Sequence, residues 1–261
     1  QPAVGRVRPW GPVQPLHRRL TGWLRRIRAM NDPLTPADGL GVLHLFCRIP
    51  RSRFSLPVNR RKLRAAVTAA TTAGDQVVTV AILGHKADLA FMVLGEDLWR
   101  LRGFQTSIAN AGLEVVDSYV SMTELSEYSQ GLPDEMRRAR LHPVLPPEGK
   151  PAWCFYPMSK RRNVDANWFT LPYDDRRELM MEHGTSGRKF AGRILQVVTG
   201  STGVDDFEWG VTLFGQRPDD LKDVVYTMRY DHASAVYGEF GVFYAGMVAD
   251  LDTVLAGIGR R

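Results

Sequence analysis

The sequence predicts an α+β fold in which two ferredoxin-like halves close into a dimeric α+β barrel within one chain. Three observations carry that prediction. Residues 41–122 present a βαββαβ order, the same order runs again from Ala152, and a Pro- and Gly-rich stretch separates the two runs. No letter-by-letter repeat accompanies the order. The expected organisation is a basic, flexible N-terminal extension (1–36), an N-terminal half (37–123), a connecting segment (124–150) and a C-terminal half (151–261) carrying the site.

In the first half, Gly41 to Ile49 forms a strand with Val42, Leu43, Leu45 and Phe46 apolar. Asn59 to Ala73 forms a helix whose stripe is Leu63, Val67 and Ala70, with Asn59 able to cap it and Gly74 ending it. Gln76–Leu83 and Asp88–Leu94 are strands around a Gly84-His85-Lys86 turn. Glu96–Asn110 is a second helix and Leu113–Met122 a further strand. The connecting segment is polar and ends in Pro143, Pro146, Pro147 and Gly149; loops this long inside compact domains are usually functional.

The second half opens on a strand carrying Tyr156. Asp174 is placed to cap a helix from Asp175 to His183, with Gly184 closing it. Strands near Arg193–Thr199 and Phe207–Gly215 follow, the latter with Phe207, Trp209, Val211 and Leu213 on one face. Pro218 opens a helix ending near Arg229, and Gly241–Val248 is the last strand.

Of 261 residues, 44% are hydrophobic, an ordinary globular share. The two cysteines, Cys47 and Cys154, cannot make a disulfide framework and fit reduced thiols in a cytoplasmic protein. No apolar run approaches the roughly 18 residues of a membrane span. The net charge of +6 hints at nucleic acid, but its distribution removes the hint. Seven of the 34 bases sit in residues 1–31 with no acid beside them, which leaves the rest one base short of its 28 acids. Three readings of that arginine-rich stretch compete. Leu16, Leu20, Leu24 and Ile27 at helical spacing suit a basic amphipathic helix on a membrane or partner. A targeting segment is the second reading, though serines are lacking. A disordered, dispensable extension, with Met30 as the natural start, is the favoured one.

There is no GxGxxG after a strand, no P-loop, HExxH or GxSxG, and no zinc spacing, so nucleotide, metalloprotease and hydrolase chemistry lack a signature. What remains is Tyr156, Met158 and Lys160 at alternate positions on one strand face, and His183 downstream. A phenol beside a cation suits redox chemistry on an anionic substrate, and a histidine can bind a metal or haem iron. Each also has a structural reading: an edge aromatic, a solvated Lys160-Arg161-Arg162 run, and a histidine favoured by a helix C-terminus.

The text YPMSKRR, then NWFTLPYDDRRELMMEHGTSGRKFAGRILQVVTGSTGVDDFEWGVTLF, then VVYTMRYDHASAVYGEFGVFYAG resembles the coproheme decarboxylases of the chlorite dismutase-like superfamily. The resemblance is dense over 150–246 and runs more weakly, through EVVDSYVSMTELSEY, back to about residue 40. It implies a homopentamer of α+β barrels. It also implies hydrogen-peroxide-dependent decarboxylation of two propionates of iron coproporphyrin III (coproheme) to vinyls, giving haem b. In that family's pattern His183 is the proximal iron ligand, Tyr156 the radical-forming phenol and Lys160 the anchor of the second propionate. Met158 and Trp168 lie beside the porphyrin, Gln196 takes the distal position, and Arg140, Arg229 and Ser234 hold propionates. The implied partners are coproheme, hydrogen peroxide and a transient ferrochelatase contact, with no nucleic acid and no integral membrane segment.

The chain departs from the family's pattern in three places. The loop between Arg140 and Tyr156 is longer, and His142 stands in it where tyrosine is more usual, which makes His142 a second candidate base for peroxide. Tyr119 and Ser121 match only part of a Tyr-x-Asn pair that contacts a propionate in some members. Two other activities compete. Chlorite dismutation uses a distal arginine where this chain has Gln196, and a haem-binding or haem-transfer module needs His183 without Tyr156 and Lys160 together.

Overall fold

Strand alternation decides which side chains can meet, because successive residues face opposite sides of a sheet. The computed structural model describes residues 32–51, 57–129 and 131–258. The chain divides into two units, Gln1–Leu34 and Thr35–Arg261, and every element below belongs to the second. All three readings of the arginine-rich stretch fall on 1–31, outside the described residues.

In the first half, β1 (Gly41–Arg48) lies between β3 (Leu89–Gly95) and β4 (Glu114–Thr123), and β2 (Gln76–Ile82) pairs with the other edge of β3, all antiparallel. Helices α1 (Arg60–Thr72) and α2 (Leu98–Asn110) cover one face. Asn59 caps α1, its side chain accepting from the Lys62 amide, as the sequence suggested. A connecting helix, α3 (Asp134–Leu141), leads into β5 (Ala152–Lys160), a short hairpin of β6 (Arg162–Asn163) and β7 (Ala166–Asn167), and α4 (Tyr173–Arg188). Then come β8 (Ile194–Gly200), β9 (Trp209–Gly215), α5 (Pro218–Met228), α6 (His232–Ala235), β10 (Gly238–Phe240), β11 (Tyr244–Val248) and α7 (Leu251–Gly257).

The two halves join at two seams. Strand β11 pairs with β2 on one side and β5 on the other, and β4 pairs with β8 through Met122↔Gly200 and Thr123↔Thr199. Because β5 also pairs with β9, the sheet order β5-β11-β2-β3-β1-β4-β8-β9 returns to its start. That ring is the predicted barrel; β10 extends β5 beyond it.

Val42, Phe46, Val80, Met92, Trp153, Phe155, Phe214 and Tyr244 are among the side chains that fill the interior. Outside, two helical layers differ in thickness. Against the first half, Leu43, Leu45 and Phe91 of the sheet meet Leu63 of α1, Phe104 and Ile108 of α2, and Leu251, Val254 and Leu255 of α7. Against the second half, Cys154, Tyr156, Val211 and Leu213 of the sheet meet Val224 of α5 and Phe190. Helix α4 packs on α5 and α6 and buries only Ser186 of its sixteen residues. The stripe Leu179, Met180, His183 and Gly187 stays half-buried. A helix with an apolar stripe so incompletely covered leaves room for something else to cover it.

Four expectations need correction. Helix α4 does not end at His183: Gly184 keeps a right-handed φ, and the helix runs on to Arg188 because Ser186 is buried and bonded to Asp231. Its N-cap is Pro172 without a side-chain cap, so Asp174 lies in the first turn, where its charge complements the helix dipole. The connecting segment contains α3 and a 3₁₀ turn at Glu127–Ser129; α3 buries none of its residues, so no apolar period announces it. Helix α7, capped by Asp250, follows the last expected strand.

Candidate active site

Strand β5 presents Cys154, Tyr156, Met158 and Lys160 on its outer face, towards the thin layer under α4 and α5. Lys160 is 7% exposed. Its Nζ donates to the Ala233 carbonyl at 2.6 Å and sits 4.5 Å from the centre of the Trp168 ring. Its amide donates to Glu208 Oε2 at 2.9 Å, and Glu208 also receives Arg162. Burial pushes the Lys160 ammonium down to about 8, while Glu208 and then Asp231 pull it back up.

His183 faces the same region from α4. Its Nδ1 lies 3.1 Å from Asp231 Oδ2 and 3.3 Å from Ser234 Oγ. Asp231 itself is buried, receives Ser186 Oγ at 2.5 Å and precedes α6. A carboxylate only accepts, so Nδ1 carries the hydrogen and the lone pair is on Nε2. Nε2 has no hydrogen-bond partner among the described residues. Burial first, and then the Lys160 charge, push the imidazole below its usual range, and Asp231 opposes them. The His183–Asp231 contact is therefore a hydrogen bond from a neutral ring rather than an ion pair. A carboxylate behind the ring of a metal-binding histidine fixes its tautomer and raises its basicity.

Across the sheet, Gln196 aligns with Leu213 and Cys154, and Val198 with Val211 and Tyr156, so Gln196 shares the outer face and is exposed on it. Tyr156 is buried beneath Phe240 and Phe243, and burial pushes its phenol pKa up. Met158 packs half-buried beside the same cluster.

The structure thus links Lys160, Trp168, His183 and Ser234 through contacts at α6, with Tyr156, Met158 and Gln196 on the facing sheet. Arg140 bonds Ser129 Oγ at 2.9 Å, and Arg229 lies 3.9 Å over the Tyr226 ring; both are exposed, as is His142. No hydrogen bond or ring contact among the described residues ties these three to His183 or Lys160. Tyr119 and Ser121 point into the barrel, bonded to Ser201 and Thr199. Asp231, Ser186 and Glu208 escaped the sequence reading. Asp231 stands 48 residues from His183 and, before a short helix, resembles an ordinary cap.

Among the described residues no three His, Cys, Asp or Glu converge on a point that could hold a metal ion. The lone imidazole therefore suits a metal that brings its other ligands with it, as in a porphyrin. An aromatic and aliphatic sheet face opposite a half-covered helix suits a flat apolar ring, and Lys160 and Ser234 suit carboxylates at its rim.

Known proteins resemble this chain in sequence and in fold. Over 185 residues the chain is 44% identical to the coproheme decarboxylase of Staphylococcus carnosus (strain TM300), covering 66% of this chain and 73% of that protein. A heme-binding protein from Thermus thermophilus superposes with a TM-score of 0.76 at 35% identity, covering 88% of this chain and all (100%) of the other. The chlorite dismutase of Candidatus Nitrospira defluvii, in complex with imidazole, shares the fold with a TM-score of 0.69 at 18% identity, over 90% of this chain and 100% of that one. The family model described as chlorite dismutase matches residues 60–249, and the chain belongs to that family.

Proposed function

We propose that the chain is a coproheme decarboxylase: with hydrogen peroxide as oxidant it converts two propionates of iron coproporphyrin III to vinyls, releasing carbon dioxide and giving haem b. The observation that carries the reading is the pairing of a neutral His183, Nε2 free, with a facing sheet surface holding Tyr156, Met158 and Lys160. Identity of 44% to a coproheme decarboxylase supports it. Bound coproheme supplies the oxidising iron and is consumed as the substrate.

His183 would hold the iron through Nε2, with Asp231 and Ser234 fixing its tautomer and the turn of the ring. Tyr156 would give up its phenolic hydrogen and regain one from the β-carbon of a bound propionate. Proximity makes such a transfer selective, because only the C–H held against the phenol can react. Lys160 would fix the carboxylate of the second propionate, exchanging its Ala233 carbonyl for a stronger charge-assisted bond. Met158 and Trp168 would border the ring, and Gln196 would stand on its far side, with His142 the alternative base. Arg140, Arg229 and Ser234 would receive the remaining carboxylates, Arg140 and Arg229 leaving Ser129 and the Tyr226 face to do so. A cytoplasmic setting belongs to this reading, and the two buried free thiols suit it. The homopentamer, the ferrochelatase contact and the division into an N-terminal extension and two halves belong to the same reading.

The test is to load purified protein with ferric coproporphyrin III, titrate peroxide and follow porphyrin mass. Two successive losses, each of carbon dioxide with two hydrogens, are expected; bleaching alone overturns the reading. The Tyr156→Phe variant is expected to bind coproporphyrin and form no haem b.

A further inference from the structure

Tyr156 is held in an unusual way for a buried phenol. Its hydroxyl has no hydrogen-bond partner among the described residues, so packing alone sets the ring's position. Phe243 stacks on it with centroids 4.4 Å apart and planes 21° apart, and Phe240 meets it edge-on at 5.7 Å. Tyr156 is 8% exposed, whereas Phe240 and Phe243 are 45% and 36% exposed, so the two phenylalanines cover ring surface of Tyr156 and themselves meet solvent.

The segment carrying them is tied down at both ends. Strand β10 pairs with β5 up to Phe240↔Met158, and β11 resumes at Tyr244↔Phe155, so residues 241–243 bridge the gap opposite Tyr156 and Pro157. Inside that bridge the Gly241 amide donates to the Pro157 carbonyl at 2.9 Å, and the Phe243 carbonyl accepts from Lys86 Nζ at 2.5 Å. A Cβ on Gly241 would lie 2.7 Å from both Pro157 and the Phe207 ring, so the close approach requires glycine. The bridge is thus anchored to the residue after Tyr156 and, through Lys86, to the other half of the barrel.

We propose that Phe243, assisted by Phe240, is a positioning residue for Tyr156: it fixes the phenol ring towards the bound substrate and keeps water off it. This rests on the redox role of Tyr156 proposed above. An aromatic face against a phenol restricts it to one plane without offering a proton acceptor, so the hydroxyl stays free for the substrate. Loss of the wall lets the ring tilt, and misplacement of about 1 Å can cost a hundredfold in rate.

The experiment compares Phe243→Ala and the volume-retaining Phe243→Leu with the parent protein, thermal unfolding confirming that each is folded. Phe243→Ala is expected to bind ferric coproporphyrin III within about twofold of the parent affinity while turnover at saturation falls by about tenfold or more; Phe243→Leu falls between them. Nitration by tetranitromethane, located by mass spectrometry, supplies a readout independent of turnover. Tyr156 in the parent is expected to react more slowly than Tyr230, which is 66% exposed, and in Phe243→Ala to approach it. Unchanged turnover and unchanged nitration overturn the proposal. Weakened binding with unchanged saturated turnover also overturns it, because Phe243 would then contact the ligand instead. Failure of the parent to decarboxylate sinks the function proposed for Tyr156, and the nitration pattern still decides whether Phe243 shields the phenol.

Discussion

Burial favours the neutral form of His183, and its two charged neighbours act on it in opposite directions. Burial and the Lys160 ammonium disfavour the imidazolium, and the Asp231 carboxylate compensates only in part. The iron-binding role proposed for His183 needs the neutral ring, whose ordinary pKa is about 6.5. Because the folded value is lowered, protonation begins only at pH below that value, so iron coproporphyrin affinity should fall below about pH 6.5, while towards pH 8 loss of the Lys160 charge weakens its bond to a propionate. Lys160→Met removes a charge that lowers the imidazole, so in that variant the fall should begin at higher pH. Soret titrations across pH 5 to 8 measure both midpoints, and a shift to lower pH in the variant would refute this electrostatic account. Residue by residue, the sequence marked the groups proposed to meet a ligand. Tyr156, Met158 and Lys160 follow from alternation on one strand, and His183 and Ser234 from the family motif. The groups that speak to those residues were hidden. Asp231, Ser186, Phe240 and Phe243 act through folded proximity across 45 to 87 residues of chain, and no local spacing marks them.

At the scale of elements, helices α1 and α2 and the eight barrel strands announced themselves, mainly through their periods, whereas β6, β7 and β10 did not and α4 did not announce where it stops. A glycine just past an apolar stripe ordinarily takes the left-handed cap conformation, which made Gly184 look like an end. In the fold it is an interior helical residue without positive φ, and an added Cβ would meet only the Arg188 guanidinium at an ordinary 3.6 Å. The two placements predict opposite signs for Gly184→Ala. A left-handed cap would lose stability, while a helix interior gains about 0.5–1 kcal/mol by losing glycine's excess backbone freedom. Denaturant unfolding of the apo protein is expected to show the gain. The glycines of α4 also have a consequence for the site. Gly184 and Gly187 bracket the turn carrying Ser186, and Gly187 passes Met228 of α5 closely enough that a Cβ would touch its methyl at 3.7 Å. The helix can therefore lean on α5 and α6 and keep its His183 stripe turned to the gap. Helix α3 was invisible for the opposite reason: with every residue outside the core, its only signal is two acids in its first turn and arginines in its last.

For the whole molecule, barrel closure is the property that element order predicted and that no single segment reveals. Two copies of βαββαβ can each form an open sheet; what makes one ring is that β11 reaches across to β2 and β4 reaches β8. Local periodicity cannot specify such pairings, since any strand edge can accept any other. The seam does leave one trace in the sequence, at Gly246. This residue lies between Ile82 of β2 and Trp153 of β5, and a Cβ there would overlap the Ala81 carbonyl. Ala81 supplies backbone, which cannot rotate away as a flexible side chain would, so any larger residue must push β11 from β2. Overpacking of this kind typically costs about 1–3 kcal/mol, and here the strain falls on one of only two seams. Gly246→Val is therefore expected to lower the unfolding free energy by at least about 2 kcal/mol, whereas the exposed neighbour Ala245→Val should change it by less than about 0.5 kcal/mol. Chemical denaturation of the two variants decides the matter, and equal stabilities would mean that the seam is not the closed junction described. Because β11 also follows directly on the Phe240–Phe243 bridge, the same substitution should loosen the wall over Tyr156 and raise its nitration even where the protein stays folded.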